Sequence, residues 1–265
     1  MRKQLALAAV LGAAAIASAA SQASAAPAVA SAKTLVYCSD ISYPPEEFMQ
    51  GGKSLGSDID IGTAVAKRIG MKAKFQNTGF DGIIAALLSN KCDAIISGMN
   101  DTPERAKSVS FVDYLSVGQS FISKKGNPLH IKTELDVCGK SAGAQVATTN
   151  LQTLQRINKQ CKAKGKRSIK IISYKEDPLG IIALQTGHID VYESDSPPAV
   201  WYTTKNKNIE IVGATIKPLP VGIAISPKNK SLKAKIQGAI NAMYKDGTMK
   251  KILAKWNMSA FALKK

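Results

Sequence analysis

A set of hydrogen-bonding groups follows a short apolar, strand-like stretch, Cys92–Ile96. The groups that could bind an anion there are Ser97, Gly98, Asn100 and Arg105. A guanidinium group holds a carboxylate through two parallel hydrogen bonds, and backbone N–H, hydroxyl and amide groups can add to them. A surface ion pair is the alternative role for the arginine. Thr102 and Pro103 are typical of a helix start, so part of this segment is structural.

A second set of polar groups lies further along the chain. Thr148 and Thr149 begin a predicted helix directly after a strand, where free N–H groups and the helix dipole favour an anion. Simple N-capping is the alternative for these residues. Asp195 stands in a Ser- and Pro-rich loop and could accept an ammonium group, with a turn or cap role as its alternative. Anion-binding groups together with an ammonium acceptor match a zwitterionic amino acid.

Three residues after the first two predicted strands could contact the rest of such a ligand. Asp40 offers an acceptor for a cationic or amide group, although aspartate at this kind of position often only caps a turn. Tyr43 offers a ring face and a hydroxyl group. Phe80 could cover an apolar part of a ligand, and ordinary core packing is its alternative.

The elements that must position these residues alternate between strand and helix. Strands at 34–38, 72–77 and 92–97, with helices between them, predict an α/β unit with a parallel sheet. The pattern recurs between residues 141 and 192. Crossing strands at 116–123 and 220–226 would link the two units into two lobes with a hinge. Ligands of open α/β sheets bind at the carboxyl ends of strands, which is where the candidate residues lie.

The first residues predict export. A positive start, an apolar Leu5–Ala20 run and a small-residue site at Ala23–Ala25 are typical of a signal peptide cleaved after residue 25. A transmembrane anchor is the alternative, but the run is short and no stop-transfer charges follow. Residues 26–33 are predicted to be a flexible tail. The formal net charge is +17, yet the lysines are scattered without an aromatic-rich basic motif, so we expect no nucleic-acid binding.

Four cysteines permit three full pairings in an exported chain. Cys138 and Cys161 flank one strand–helix segment and could close a local loop. Cys38 and Cys92 are expected at opposite ends of neighbouring parallel strands, an offset that disfavours a bridge between them. No metal or other cofactor is expected, because the chain has only His130 and His188 and no CxxC motif.

The order and spacing of these pieces resemble the polar amino-acid family of periplasmic solute-binding proteins, the receptors of ABC importers. The resemblance covers roughly residues 34–256 and is carried by segments 40–45, 56–60, 80–87, 93–99, 102–105, 111–115, 145–149, 187–195, 221–224 and 246–248. It implies an α/β two-lobe periplasmic-binding-protein fold of type II, with a mostly parallel sheet and flanking helices in each lobe and a two-segment hinge. Residues 34–118 and 223–265 would form the first lobe and 119–222 the second.

The resemblance also implies roles for the candidate residues. Arg105 would hold the α-carboxylate with help from Gly98, Asn100 and Thr149, and Asp195 would take the α-ammonium group, with Ser97 at the same end. The remaining residues would contact the ligand side chain or the turn beside it: Tyr43 and Phe80 flank the side chain, Asp40 and Gln145 line its pocket, and Met99 lies in the linking turn.

The sequence departs from the family pattern at Glu46, usually Phe, at Asn100, usually Ser or Thr, and at Ala147, usually Gly. Acidic residues near the side-chain end favour a cationic or polar L-amino acid. We therefore expect a monomeric periplasmic binding protein that delivers its ligand to a membrane permease. The alternative is an exported enzyme on the same fold, a cyclohexadienyl or prephenate-like dehydratase, for which Glu193 is the one candidate general acid.

Overall fold

The computed structural model describes residues 33–263. The predicted signal peptide and residues 26–32 of the predicted tail lie outside the described residues. Among the helices of the described part, none is both long and apolar enough to cross a membrane.

The structure contains strands in two sheets and helices that alternate with them. The strands are β1 (Thr34–Ser39), β2 (Ser42–Tyr43), β3 (Glu47–Gln50), β4 (Lys53–Leu55), β5 (Lys72–Asn77), β6 (Ala94–Ile95), β7 (Ser110–Lys124), β8 (Ser141–Gln145), β9 (Lys170–Tyr174), β10 (Val191–Asp195) and β11 (Ile209–Ile225). The helices are α1 (Ser57–Arg68), α2 (Ile83–Leu88), α3 (Pro103–Ala106), α4 (Thr149–Ala163), α5 (Asp177–Thr186), α6 (Ser196–Lys205), α7 (Lys230–Lys245) and α8 (Thr248–Lys255). Short 3₁₀ turns occur at Phe80–Gly82, Glu134–Val137 and Ser259–Phe261.

The larger sheet has eight strands in the order β5-β1-β6-β11-β7-β10-β8-β9. Its two ends are parallel: β1 pairs with β5 and β6, and β8 pairs with β9 and β10. Helices cover each end, as expected for parallel strands that are buried on both faces. We call the β5-β1-β6 end with α1–α3, α7 and α8 the first lobe, and the β10-β8-β9 end with α4–α6 the second lobe. The predicted two-lobe α/β fold class is confirmed.

The strands β7 and β11 join the lobes as one long antiparallel pair. Both are longer than the predicted crossing strands at 116–123 and 220–226, and their pairing runs from one lobe to the other with interruptions. The register shifts at three places between Val212 and Gly222, next to Pro218 and Pro220, which lack the N–H that a ladder needs. The predicted lobe boundaries at 118/119 and 222/223 fall inside these two strands and stay predictions.

Each lobe has its own apolar core on both faces of the sheet. In the first lobe, Leu35 and Ile61 pack with α7 and α8 on one face, and Ile83 and Leu87 pack on the other. The core of the second lobe is likewise divided between an α4 side and an α5–α6 side. Two separately packed lobes on a shared pair of strands leave the space between them free for a site.

The first helix, α1, begins without a capping side chain, because Gly56 occupies its N-cap. Ser57 and Asp58 are the first helical residues and are fully buried. The Asp58 carboxylate is therefore free to bond elsewhere. By contrast, the side chain of Thr102 accepts from the backbone N–H of Arg105, which confirms the predicted start of α3.

The four cysteines form two disulfides. Cys138 and Cys161 are bonded with their Cα atoms 5.7 Å apart, which confirms the predicted local loop. Cys38 and Cys92 are also bonded, at the same Cα separation, so the expectation that their offset keeps them apart is wrong. Cys92 is not an extended strand residue; it precedes β6 in a bend, and Asp93 donates its N–H to Val36 of β1. This bend brings Cys92 back to Cys38.

Candidate functional site

A small cavity lies between the lobes at the carboxyl ends of the strands. Its volume is only about 10 Å³, far below the roughly 300–1,000 Å³ typical of ligand sites, because side chains of both lobes nearly fill it. The first lobe supplies Asp40, Tyr43, Phe80, Ser97, Gly98, Asn100 and Arg105. The second lobe supplies Gln145, Thr148, Asn150 and Asp195. The polar lining suits a small polar molecule, which needs more room than this arrangement of the lobes leaves.

Arg105 is held in place without a charged partner. Its two terminal nitrogens donate to the backbone carbonyls of Asn100, at 3.0 Å, and of Ala147 in the second lobe, at 3.1 Å. The guanidinium carbon lies 5.3 Å from the centre of the Phe80 ring, within cation–π range. Burial lowers the pKa of Arg105, and Asp195 opposes that shift. Among the ion pairs of the described residues none involves Arg105, so its charge is available to bind an anion.

Asp195 faces the cavity from the second lobe. It is the last residue of β10 and occupies the N-cap position of α6, but its side chain makes no capping bond. Instead, its Oδ1 accepts from the amide of Asn150 at 3.0 Å. Its backbone N–H donates to the Tyr43 hydroxyl across the cleft. Burial raises the pKa of Asp195 to about 7, although Asn150, Tyr43 and Arg105 favour the ionised form.

Asn100 and Thr149 meet across the cleft. The Thr149 hydroxyl donates to Asn100 Oδ1 at 2.6 Å, so it is engaged with the other lobe. Asn100 lines the cavity and is 3 % exposed, and its Nδ2 has no hydrogen-bond partner. A buried amide donor without an acceptor is costly, so a ligand acceptor at this position would be stabilising.

Asp40 and Gln145 bond to each other across the cleft. Gln145 Nε2 donates to Asp40 Oδ2 at 2.7 Å, and Asp40 also accepts from the Ser42 hydroxyl and the Phe80 N–H. Burial raises the pKa of Asp40. Beyond Asp40 the cleft continues into an open groove that includes Asp81 and Glu176. Lys91 and Lys175 also line this groove, which a longer ligand side chain could reach by displacing the Gln145 contact.

Ser97 and Gly98 form a wall of the cavity that buried carboxyl groups hold from behind. The Ser97 hydroxyl donates to Glu47, and the Gly98 N–H donates to Asp58. The resemblance assigned the Gly98 position to the ligand, but its N–H is already used. Gly98 also has a φ of 52°, and a Cβ there would lie 3.1 Å from the Tyr43 ring. Both the conformation and the limited space therefore favour glycine here.

Some of the other predicted site residues do not line the cavity or have another role there. Thr148 lines the cavity but caps α4 by accepting from the Leu151 N–H, which matches its structural alternative. Met99 is fully buried, and neither it nor Thr149 is among the cavity-lining residues. Asn150 is a lining residue that the sequence analysis missed. The signal was present, because Asn150 follows Thr149 in the first turn of α4, where a side chain can face the same site.

The family of the chain follows from a match to residues 35–259 by the sequence profile of bacterial extracellular solute-binding proteins, family 3. The chain belongs to this family. As a family 3 solute-binding protein it has close curated relatives. It is 30% identical over 261 residues to ABC transporter arginine-binding protein 1 of Escherichia coli (strain K12), a match that covers 96% of this chain and 98% of the relative.

Solved structures of amino-acid-binding proteins have the same fold as this family 3 protein. An ancestral arginine-binding protein bound to arginine matches with 37% identity and a TM-score of 0.77, covering 84% of this chain and 97% of that chain. The ancestral amino acid-binding protein AncCDT-1, described as a precursor of cyclohexadienyl dehydratase, matches with 32% identity and a TM-score of 0.77, covering 84% and 95%.

The dehydratase alternative depends on Glu193, and this side chain does not reach the cavity of the family 3 protein. Glu193 is fully buried in β10 and is not a lining residue. Burial and the neighbouring Asp195 raise its pKa well above the usual range. Glu193 therefore does not contact the cavity, as the dehydratase alternative would require.

Two departures from the family pattern have visible structural consequences. Glu46 is 2 % exposed, and its Oε2 has no hydrogen-bond partner. Burial, with Asp58 and Asp195 nearby, raises its pKa well above the usual range. Ala147 has a φ of 62°, a conformation that disfavours residues with a Cβ, and its carbonyl accepts from Arg105. The chain therefore keeps one strained residue at the point where Arg105 crosses the cleft.

Proposed function

We propose that this protein binds one L-amino acid with a cationic or polar side chain between its lobes and delivers it to an ABC-type permease. The observation that carries the proposal is the pair of charged groups on opposite walls of one closed cavity. Arg105 has no anionic partner on the first lobe, and Asp195 faces the same cavity from the second. A zwitterion supplies the partner that each of them needs.

The ligand carboxylate would bind at the Arg105 end. The guanidinium group would exchange its backbone contact to Ala147, or share it, for bonds to the carboxylate. The unpartnered Nδ2 of Asn100 would donate to the same group. This amide replaces the hydroxyl group usual in the family, so it supplies a donor at the position where the family pattern expects one.

The ligand ammonium would bind Asp195, and its side chain would extend towards Asp40. The Phe80 and Tyr43 rings would flank the apolar part of the side chain. Asp40, the one charged group at this end of the cavity lining, supports a cationic end group. Arginine is the first candidate, because several relatives are named for arginine binding and several matching structures are described as bound to arginine.

Binding would favour closure, since a ligand shifts a conformational equilibrium only by binding one state better. The Gln145–Asp40, Thr149–Asn100 and Arg105–Ala147 hydrogen bonds all cross the cleft. They exist only when the lobes are together. A ligand held by Arg105 on one side and Asp195 on the other adds to the same contacts.

We propose export to the periplasm, a monomeric state and a permease partner as part of the same function. The predicted signal peptide and the family support the first, and the names of ABC-transporter relatives support the last. We also propose a binding protein and not an enzyme. The buried position of Glu193 supports this, and so do relatives named as binding proteins.

A thermal-shift screen of the ligand-free protein against the common L-amino acids tests the function. A ligand at 100 times its Kd stabilises the folded state by about 2.7 kcal/mol, which is readily detected. We expect the largest shift with L-arginine, and smaller shifts with other cationic or polar amino acids. No shift with any amino acid would contradict the proposal. Product formation from prephenate would instead support the dehydratase.

A further inference from the structure

Behind the Ser97–Gly98 wall lie two carboxyl groups without a cation. Glu47 and Asp58 are both fully buried. Among the ion pairs of the described residues neither takes part in one. The groups that act on them electrostatically are other acids and one phenol: Glu46 on the segment before β3, Asp40 after β1, and Tyr114 on β7. Two ionised carboxylates cannot persist together in such surroundings.

Each of the two carboxyl groups has one oxygen that is satisfied and one that is not. Glu47 Oε1 accepts from the Ser97 hydroxyl at 2.7 Å. Asp58 Oδ2 accepts from the Gly98 N–H at 2.9 Å and from the Tyr114 hydroxyl at 2.6 Å. Glu47 Oε2 and Asp58 Oδ1 are both buried without a donor. The two side chains lie side by side, because they accept from the consecutive residues Ser97 and Gly98 and because the Asp58 N–H donates to the carbonyl of Glu46, next to Glu47.

We propose that Glu47 and Asp58 share a single proton and that this acid–carboxylate pair positions Ser97 and Gly98 in the cavity wall. One proton between the two side chains gives a donor to the pair and removes the repulsion of two buried charges. The remaining oxygens stay acceptors for Ser97, Gly98 and Tyr114. Ser97 in turn accepts from the Asp40 N–H, so the pair holds one continuous stretch of the site.

The shared proton links stability to pH with a definite sign. Burial raises the pKa of Asp58 to about 6 and that of Glu47 well above its usual range. The folded protein therefore keeps a proton that the unfolded chain loses near pH 4, and stability falls as pH rises above that point. One retained proton changes the unfolding equilibrium constant by roughly tenfold per pH unit.

Thermal and denaturant unfolding of the ligand-free protein between pH 5 and pH 8 tests the inference, whatever the ligand is. Glu47→Gln keeps an acceptor for Ser97 and offers an amide donor to Asp58, so it needs no proton. We expect its pH dependence to be weaker than that of the wild type by up to about tenfold in the unfolding constant per pH unit. Glu104→Gln, at an exposed site, removes the same charge and should keep the wild-type slope.

The infrared spectrum gives a second readout that does not depend on stability. At neutral pH the wild type should show the carbonyl stretch of a buried protonated carboxyl group, and Glu47→Gln should lose part of that band. If Glu47→Gln fails to fold, Asp58→Asn provides the same test by replacing the other carboxyl group of the pair. Equal pH slopes in wild type and variants, or a wild-type spectrum without a protonated carboxyl band, would overturn the proposal.

Discussion

The two walls of the cavity hold their charged groups in different ways. Arg105 on the first-lobe wall bonds only to backbone carbonyls and stays ionised at any ordinary pH. Asp195 on the second-lobe wall has a pKa raised to about 7 and can become neutral by taking a proton. The first wall therefore requires an anion, whereas the charge of the second wall changes when Asp195 gains or loses a proton. We infer that the ligand carboxylate is obligatory and that the contribution of its ammonium group varies with pH.

The largest effect is expected from Arg105. Arg105→Ala should weaken amino-acid binding by at least about 2 kcal/mol, roughly 30-fold, because it removes the one cation of the first wall. Arg105→Lys keeps the charge but not the planar pair of donors, so it should fall between the wild type and Arg105→Ala. Calorimetric titration measures both. Equal affinity for Arg105→Ala and wild type would remove the first wall from the binding site.

A smaller, pH-dependent effect is expected from Asp195. Asp195→Asn should weaken binding by about 1.5–3 kcal/mol at pH 8, the usual contribution of a hydrogen bond to a charged group. As pH falls through about 7 the wild-type carboxylate takes up a proton, so the wild type should lose affinity while the variant changes little. Titrations at pH 6 and pH 8 give the two differences. If the difference in binding free energy between wild type and Asp195→Asn is the same at both pH values, Asp195 does not change its charge in this pH range.

The contacts between the walls are expected to contribute less. Thr149→Val removes the hydroxyl that donates to Asn100 and should weaken ligand binding by about 0.5–1.5 kcal/mol. Thr149→Ser keeps the hydroxyl and serves as the matched control. Small-angle scattering of the ligand-free variants reports on closure, and Thr149→Val should be the more open of the two. If both variants bind like the wild type, this bond does not contribute to closure.

The smallest effect is expected at Ala147. Its φ of 62° is unfavourable for alanine, so Ala147→Gly relieves strain while it adds freedom to the unfolded chain. The balance should be a stabilisation of about 0.5 kcal/mol, measured by denaturant unfolding. Ala163→Gly, at the exposed end of α4, should have the opposite sign because glycine destabilises helices. Destabilisation by both substitutions would show that Ala147 is not strained in solution.

Much of the fold could be predicted from sequence because its signals are local. Alternating apolar strands and capped helices indicate two α/β lobes, and the Thr102–Pro103 start of α3 is a short-range signal of the same kind. The Cys38–Cys92 bond could not be predicted, because a bend before β6 decides it and extended-strand spacing does not show that bend. The lengths of β7 and β11 were also hidden, since their pairing partners are distant in the sequence.

The sequence predicted where the cavity lies but not which hydrogen bonds connect its residues. Strand ends identify most of the lining residues, from Asp40 to Asp195. Sequence could not show that Gly98 donates to Asp58, because that bond depends on how α1 packs behind the wall. It also could not show that Gln145 bonds to Asp40, because this contact forms only between closed lobes.

The most direct test of the central claim changes the ligand and leaves the protein intact. Calorimetry would compare the amino acid selected by the screen with its decarboxylated amine, which keeps the side chain and the amino group. We predict one-to-one binding of the amino acid and no measurable binding of the amine, because Arg105 would lack its anion. Binding of the amine with the affinity of the amino acid would show that the first wall does not bind a carboxylate.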